Sequence, residues 1–179
     1  MAKSENNFLT LKDLKERNIN PLSYRFWLLM AHYRTKVNFV WETIEGTENA
    51  LKRLYKGFLD LGEASGEADA DYKEKFTSFV NDDLDTPKAV ALIWELLKDE
   101  SISKENKKAT LLDFDKVLGI GLENLQKIEI PEEVSSLAEA RLKAKQEKNY
   151  ALSDEIREKI NSLGYEILDT KEGFEINKL

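Results

Sequence analysis

The sequence predicts a mainly α protein: an antiparallel helical bundle over about residues 19–118, then a small helix-helix-β-hairpin module over 131–179. Three observations carry that expectation. Only 8 Gly and 3 Pro stand among 179 residues, so few breakers interrupt the backbone. Apolar residues recur at helical spacing behind recognisable caps along most of the chain. After Gly164 the period changes, and "YEILDTKEGFEIN" reads as two short strands around a Gly-containing turn.

The elements follow in order. "TLKDLKERN" places Thr10 three residues before Asp13, a capping-box pattern for a short helix. "NPLSYRFWLLMAHYR" offers Asn20 as an N-cap and Pro21 at the first helical position, with Leu22, Phe26, Leu29 and Tyr33 on one face. A turn near 35–38 leads to a longer helix whose stripe is Ile44, Leu51, Leu54, Phe58 and Leu61. Gly46 and Gly57 weaken it by roughly 1 kcal/mol each relative to Ala. The small-residue acidic run "GEASGEADAD" precedes a helix through Phe76, Phe79 and Val80.

"DDLDTPKAVALIWELLKDE" is the clearest start signal, read with Thr86 as cap and Pro87 first in the helix. A further helix runs from about Ser103 to Leu118 and stops at "GIG". Residues 119–130 read as a linker. Pro131 opens a highly charged helix, and "YALSDEIREKINSLG" is a second one closed by Gly164.

Apolar residues make up 41% of the chain, enough for a core, and charged residues 34%. The absence of cysteine excludes disulfides and thiolate metal sites. No segment has the length of a membrane span and no secretory signal is visible, so a cytoplasmic protein with no membrane partner is expected. Net charge is −7, which at first argues against nucleic acid. The charge is unevenly placed, however. Residues 60–85 hold nine acidic residues and two lysines, whereas residues 1–57 hold ten Lys/Arg against six Asp/Glu. Phosphate contacts are local, so the sign of the total decides nothing.

Five blocks carry a resemblance. "MAKS" resembles the class I signature loop lysine-methionine-serine-lysine-serine without its first lysine, and "NNFLTLKDL" follows it. "PLSYRFWLLMAHYRTKVNF", "NDDLDTPKAVALI" and "ARLKAKQEKNYALSDEIREKINSLGYEILDTKEGFE" come after in the same order. In that order they are similar to cysteinyl-tRNA synthetase and cover nearly the whole chain. Departures are Asn6 where a glycine is common, Val40 where a serine usually caps a helix, and Ile176 where some members carry tryptophan.

The resemblance implies a bundle of the anticodon-binding type, cysteine tRNA as partner rather than DNA, and an ATP-dependent cysteine–tRNA ligase as the parent activity. It also implies an N-terminal catalytic domain missing from these residues, in which ATP, Mg and Zn are bound upstream. With one histidine and no cysteine, this chain is expected to carry none of those cofactors and to be inactive alone. Residues 1–18 then read as a remnant of the signature loop with its connecting helix, and Lys3 as a contact to ATP phosphate in the parent.

Candidate tRNA contacts fall in two places. Arg25, His32 and Arg34 lie beside aromatics, where the resemblance implies contact with the tRNA body; the alternative is a structural histidine with solvated charges. Arg141, Lys145, Lys148 and Arg157 lie on the last two helices, and Asp169, Thr170 and Phe174 lie at the hairpin. Splayed anticodon bases can be stacked on and read at their edges there. The alternative is a solvated Lys/Glu face. Asp82, Asp83 and Asp85 suggest helix capping rather than a metal site. A helical interaction module without RNA binding stands as the competing function. A ligase joining cysteine to an amino sugar is a third, disfavoured by "LGYEILDTKEGFE".

Overall fold

The computed structural model describes residues 10–126, 130–170 and 173–178. It divides into two compact units, residues 1–126 and 127–179. The fold is mainly α with one two-stranded antiparallel hairpin near the C-terminus.

In the first unit, α1 spans Leu11–Glu16, α2 Pro21–Leu29, α3 Trp41–Leu59, α4 Ala70–Asn81, α5 Thr86–Lys98 and α6 Lys104–Leu118. Local chemistry sets most of the starts. The Asp13 carboxylate accepts from both the backbone N–H and the hydroxyl of Thr10. The side chains of Asn20, Asp69 and Ser103 accept from the N–H of Leu22, Tyr72 and Asn106 respectively. Each satisfies a donor that the helix itself leaves unpaired. Val40 offers α3 no side-chain cap, yet α3 is the longest helix among the described residues. Packing holds it: Ile44, Leu51, Leu54 and Phe58 are buried, and Gly46 and Gly57 sit within it without breaking it.

Two clusters fill this unit. The larger joins Phe26, Leu51, Leu54, Phe58, Ile93 and Leu96 to Leu111 and Phe114, with the rings of Phe76 and Phe114 stacked at 4.1 Å. The smaller gathers Leu14, Ile19, Trp27 and Ile44 under Tyr24, Phe39 and Trp41, and the Arg17 guanidinium lies 4.0 Å from the Trp41 ring centroid. The acidic loop before α4 is pinned to α6: Glu67 N–H donates to Asn106 Oδ1 and Asp69 N–H to Thr110 Oγ1. Gly66 is required by that approach, because a Cβ there would stand 2.6 Å from the Asn106 backbone nitrogen.

Three expectations are corrected. Helix α2 stops at Leu29, so Tyr33 lies beyond it and is exposed instead of extending the buried face. Asp85, not Thr86, caps α5. Its carboxylate accepts from Lys88 N–H at 3.3 Å and pairs with Lys88 Nζ at 2.6 Å, favoured over a hydroxyl at the positive helix end. Pro87 is therefore second in the helix, where its missing N–H still costs no bond.

The third concerns residues 119–130, whose first part is core rather than linker: Ile120 and Leu122 are fully buried with the bundle. Asp115 holds them, accepting from Ile120 N–H at 2.6 Å and from Leu122 N–H at 2.7 Å. Tyr55 donates to the Ile120 carbonyl, and burial, helped by Asp115, pushes the Tyr55 phenol up to about 12. Gly119 (φ 60°) supplies the left-handed residue that turns the chain back.

In the second unit, α7 spans Glu132–Gln146 and α8 Tyr150–Ser162, followed by β1 Tyr165–Thr170 and β2 Gly173–Lys178. Tyr165 pairs with Lys178 and Ile167 with Ile176. Val134, Ala138, Ile160 and Ile167 form its core, with Ile156, Phe174 and Ile176 packed against it. Among the described residues no helix is long and apolar enough to cross a membrane.

Replacing Asp115 with Ala leaves two buried N–H groups without an acceptor. We expect a loss of about 2–4 kcal/mol in urea unfolding of the full chain, larger than for Asp113→Ala, whose carboxylate makes surface ion pairs.

Candidate nucleic-acid interface

The sequence-selected residues separate into those used within the fold and those presented to solvent. Arg25 belongs to the first group. Its Nε donates to the Leu118 carbonyl at 2.6 Å, beside Gly119, where a Cβ would come within 3.0 Å of its guanidinium. It fastens the end of α6.

His32 and Arg34 come together on Asp83. Arg34 Nη2 lies 3.0 Å from Asp83 Oδ1 and His32 Nε2 lies 3.7 Å from Asp83 Oδ2. Tyr33, stacked on His32 at 4.8 Å, donates to the same Oδ1 at 2.7 Å. Capping therefore describes only part of the Asp82/Asp83/Asp85 group. Asp85 caps α5, Asp82 ends α4, and Asp83 engages the segment after α2. Among the described residues no cluster of three or more His, Asp or Glu could hold a metal ion.

In the second unit Arg141 is almost completely buried and forks onto Asp169, at 2.8 and 3.1 Å. Lys145 Nζ adds a third contact to Asp169 at 2.7 Å. Arg141, followed by Lys145, holds the Asp169 carboxyl far below the usual carboxylate range. Three of the selected residues thus form one clamp from α7 to β1. Its carboxylate stays half exposed, so Asp169 faces both the clamp and solvent. Phe174, selected as an aromatic reader, is partly buried against the core instead. Thr170 pairs with Gly173 through the strand register, and its side chain lies outside the described part, as does all of Lys3.

Lys148 and Arg157 are exposed, and among the described residues their side chains show no hydrogen bond or ion pair. Lys148 sits in a left-handed turn (φ 60°) between α7 and α8, and Asn149 caps α8 by accepting from Leu152 N–H.

Two residues escaped the sequence reading. Tyr150, at 61% exposure, is the most exposed large hydrophobic side chain among the described residues. Asp154 acts electrostatically on Arg141, which sets it near the clamp. Tyr150, Asp154 and Arg157 recur at i, i+4 and i+7, so they share one face of α8. That spacing was available in the sequence; exposure of the ring was not. The face offers an aromatic ring, a carboxylate and a cation, and the same small unit adds Lys148 in the turn before α8 and the Asp169 carboxylate on β1.

Comparison with known proteins places the chain in a family. Over 178 residues, 97% of this chain, it is 39% identical to cysteine–tRNA ligase 1 of Burkholderia lata. The chain is homologous to the C-terminal portion of cysteine–tRNA ligases. Cysteine–tRNA ligases of Finegoldia magna and Borrelia hermsii match at 35% and 33% identity, over 97% and 99% of the chain. The chain spans 37%, 41% and 42% of these three ligases' own lengths. No family model matches.

The depressed Asp169 acid gives a signed expectation. Its ionised form is favoured in the folded state, so the clamp contributes fully above the unfolded carboxylate value, about pH 4. That contribution is lost as pH falls below it. The hairpin amides should therefore exchange faster with solvent as pH drops from about 5 toward 2, after correction for intrinsic exchange. Asp169→Asn should remove most of that pH dependence. Arg141→Ala should open the hairpin at neutral pH, at a cost of about 2–3 kcal/mol, read by the same exchange.

Proposed function

We propose that these residues form the tRNA-binding, anticodon-recognising part of a cysteine–tRNA ligase. The reaction of that enzyme class, activation of cysteine with ATP and transfer to cysteine tRNA, depends on residues other than these. The observation that carries the reading is the α8 face, on a chain that matches cysteine–tRNA ligases over nearly its full length. That face carries the exposed Tyr150, with Arg157 two turns on, and exposed Lys148 lies in the turn just before the helix.

Each group has a chemical task. An exposed phenol ring stacks on an unpaired base whatever its identity. Lys148 and Arg157 meet phosphate, which positions the strand without reading it. The carboxylates of Asp154 and Asp169 accept from exocyclic amino groups at a base edge, and they repel a base presenting only acceptors there. The Arg141 fork holds Asp169 ionised and fixed for that role. Net charge of −7 does not oppose this, because the acidic excess lies in residues 60–85 of the other unit. The first unit contributes through Arg34, which stays exposed beside its Asp83 contact.

Electrophoretic shift of cysteine tRNA by the full chain tests the reading. A shift that weakens steeply with salt, and weakens further on altering the anticodon, is expected. Absence of any shift at low salt would leave the helical interaction module as the better function. Tyr150→Ala should weaken binding about tenfold while Tyr150→Phe retains it. Lys148→Ala should weaken all tRNAs alike and lower the salt slope by roughly one.

A further inference from the structure

The turn that joins α4 to α5 closes the end of α4 and also carries a side chain away from both helices. Asp83 (φ 53°) and Leu84 (φ 57°) are consecutive non-glycine residues in the left-handed region, which such residues rarely enter as pairs. The α5 cap comes from Asp85, and the α4 helix ends at Asp82. The conformation lets the N–H groups of Leu84 and Asp85 close onto the Val80 and Phe79 carbonyls of α4, and it also delivers the Asp83 carboxylate to the segment following α2, about fifty residues earlier in sequence.

There, one oxygen does two things. Asp83 Oδ1 accepts from Tyr33 Oη at 2.7 Å and from Arg34 Nη2 at 3.0 Å. Tyr33 Oη in turn accepts from Arg34 Nε at 2.7 Å, and the guanidinium carbon lies 5.3 Å from the Tyr33 ring centroid. His32 backs the ring by stacking and reaches the second carboxylate oxygen at 3.7 Å. A flexible arginine is thus held by two hydrogen bonds and a ring contact, yet its side chain remains 67% exposed. A guanidinium has five N–H donors, and these two bonds occupy one edge of it. The rest are oriented in advance toward solvent, which lowers the ordering cost of gripping a phosphate.

We propose that Asp83 is a positioning residue: it orients Arg34 through Tyr33 as a preformed phosphate contact for tRNA. The inference rests on the RNA-binding reading above and adds to it a residue whose charge alone would argue the other way. A carboxylate beside an RNA phosphate repels it, so pure electrostatics requires that deleting Asp83 tighten binding. Positioning requires the reverse.

Asp83→Gly separates the two, because glycine accepts the left-handed backbone while removing the carboxylate. Thermal unfolding of this variant should be no lower than that of the wild type. Its affinity for cysteine tRNA should fall about fivefold, despite the loss of a negative charge. Asp83→Asn keeps an oxygen acceptor and tolerates the backbone, and it should bind within about twofold of wild type. In an Arg34→Ala background, Asp83→Gly should cause no further weakening.

Binding by Asp83→Gly that equals or exceeds wild type overturns the proposal. So does a loss that persists in the Arg34→Ala background, or one that Asn fails to rescue. Failure of the wild-type chain to bind tRNA at all is a different result, since it removes the RNA reading itself.

Discussion

The bidentate contact between Arg141 and Asp169 is the constraint on which the candidate reading face depends. The second unit has few large side chains in its core, and a two-stranded hairpin is marginal unless packed on something else. Ile167 supplies the apolar part of that packing, and the guanidinium fork supplies the directional part. Because Arg141 is buried, removing its partner would strand a desolvated cation; because Asp169 is half exposed, the pair also keeps one carboxylate at the surface in a fixed orientation. Asp169 thus serves the fold on one side and stays open to solvent on the other.

A parallel arrangement occurs in the first unit. Arg25 and Asp115 are spent on backbone groups, closing the chain after α6 onto the bundle and burying Ile120 and Leu122. Arg34, nine residues after Arg25, is held but not buried. The difference is positional. Arg25 lies inside α2, next to the left-handed Gly119, whereas Arg34 follows the helix end and meets the side chains of Tyr33 and Asp83. Two arginines that look equivalent in sequence therefore have different tasks.

The homology to cysteine–tRNA ligases and the arrangement of side chains supply different kinds of information. The match covers almost all of the chain but says nothing of individual contacts. The side chains sort the basic residues into structural and available ones. Arg25 and Arg141 are committed to the fold, while Lys148 and Arg157 project from it.

Sequence alone determined the helices, most of their caps, the closing hairpin and the family, because each is written locally. Asn20–Pro21, Ser103 and Gly119 act within a few residues of themselves, and ordered motif blocks need no contacts to be seen. It did not determine where side chains go. Tyr33 lost its helical face because the helix ends at Leu29, and Asp85 displaced Thr86 as a cap by pairing with Lys88. Phe174 packed inward while Tyr150 stayed out. Only the tertiary structure brought Asp83 to Arg34 and Asp169 to Arg141, because partners separated by 49 and 28 residues are chosen by the path of the backbone between them.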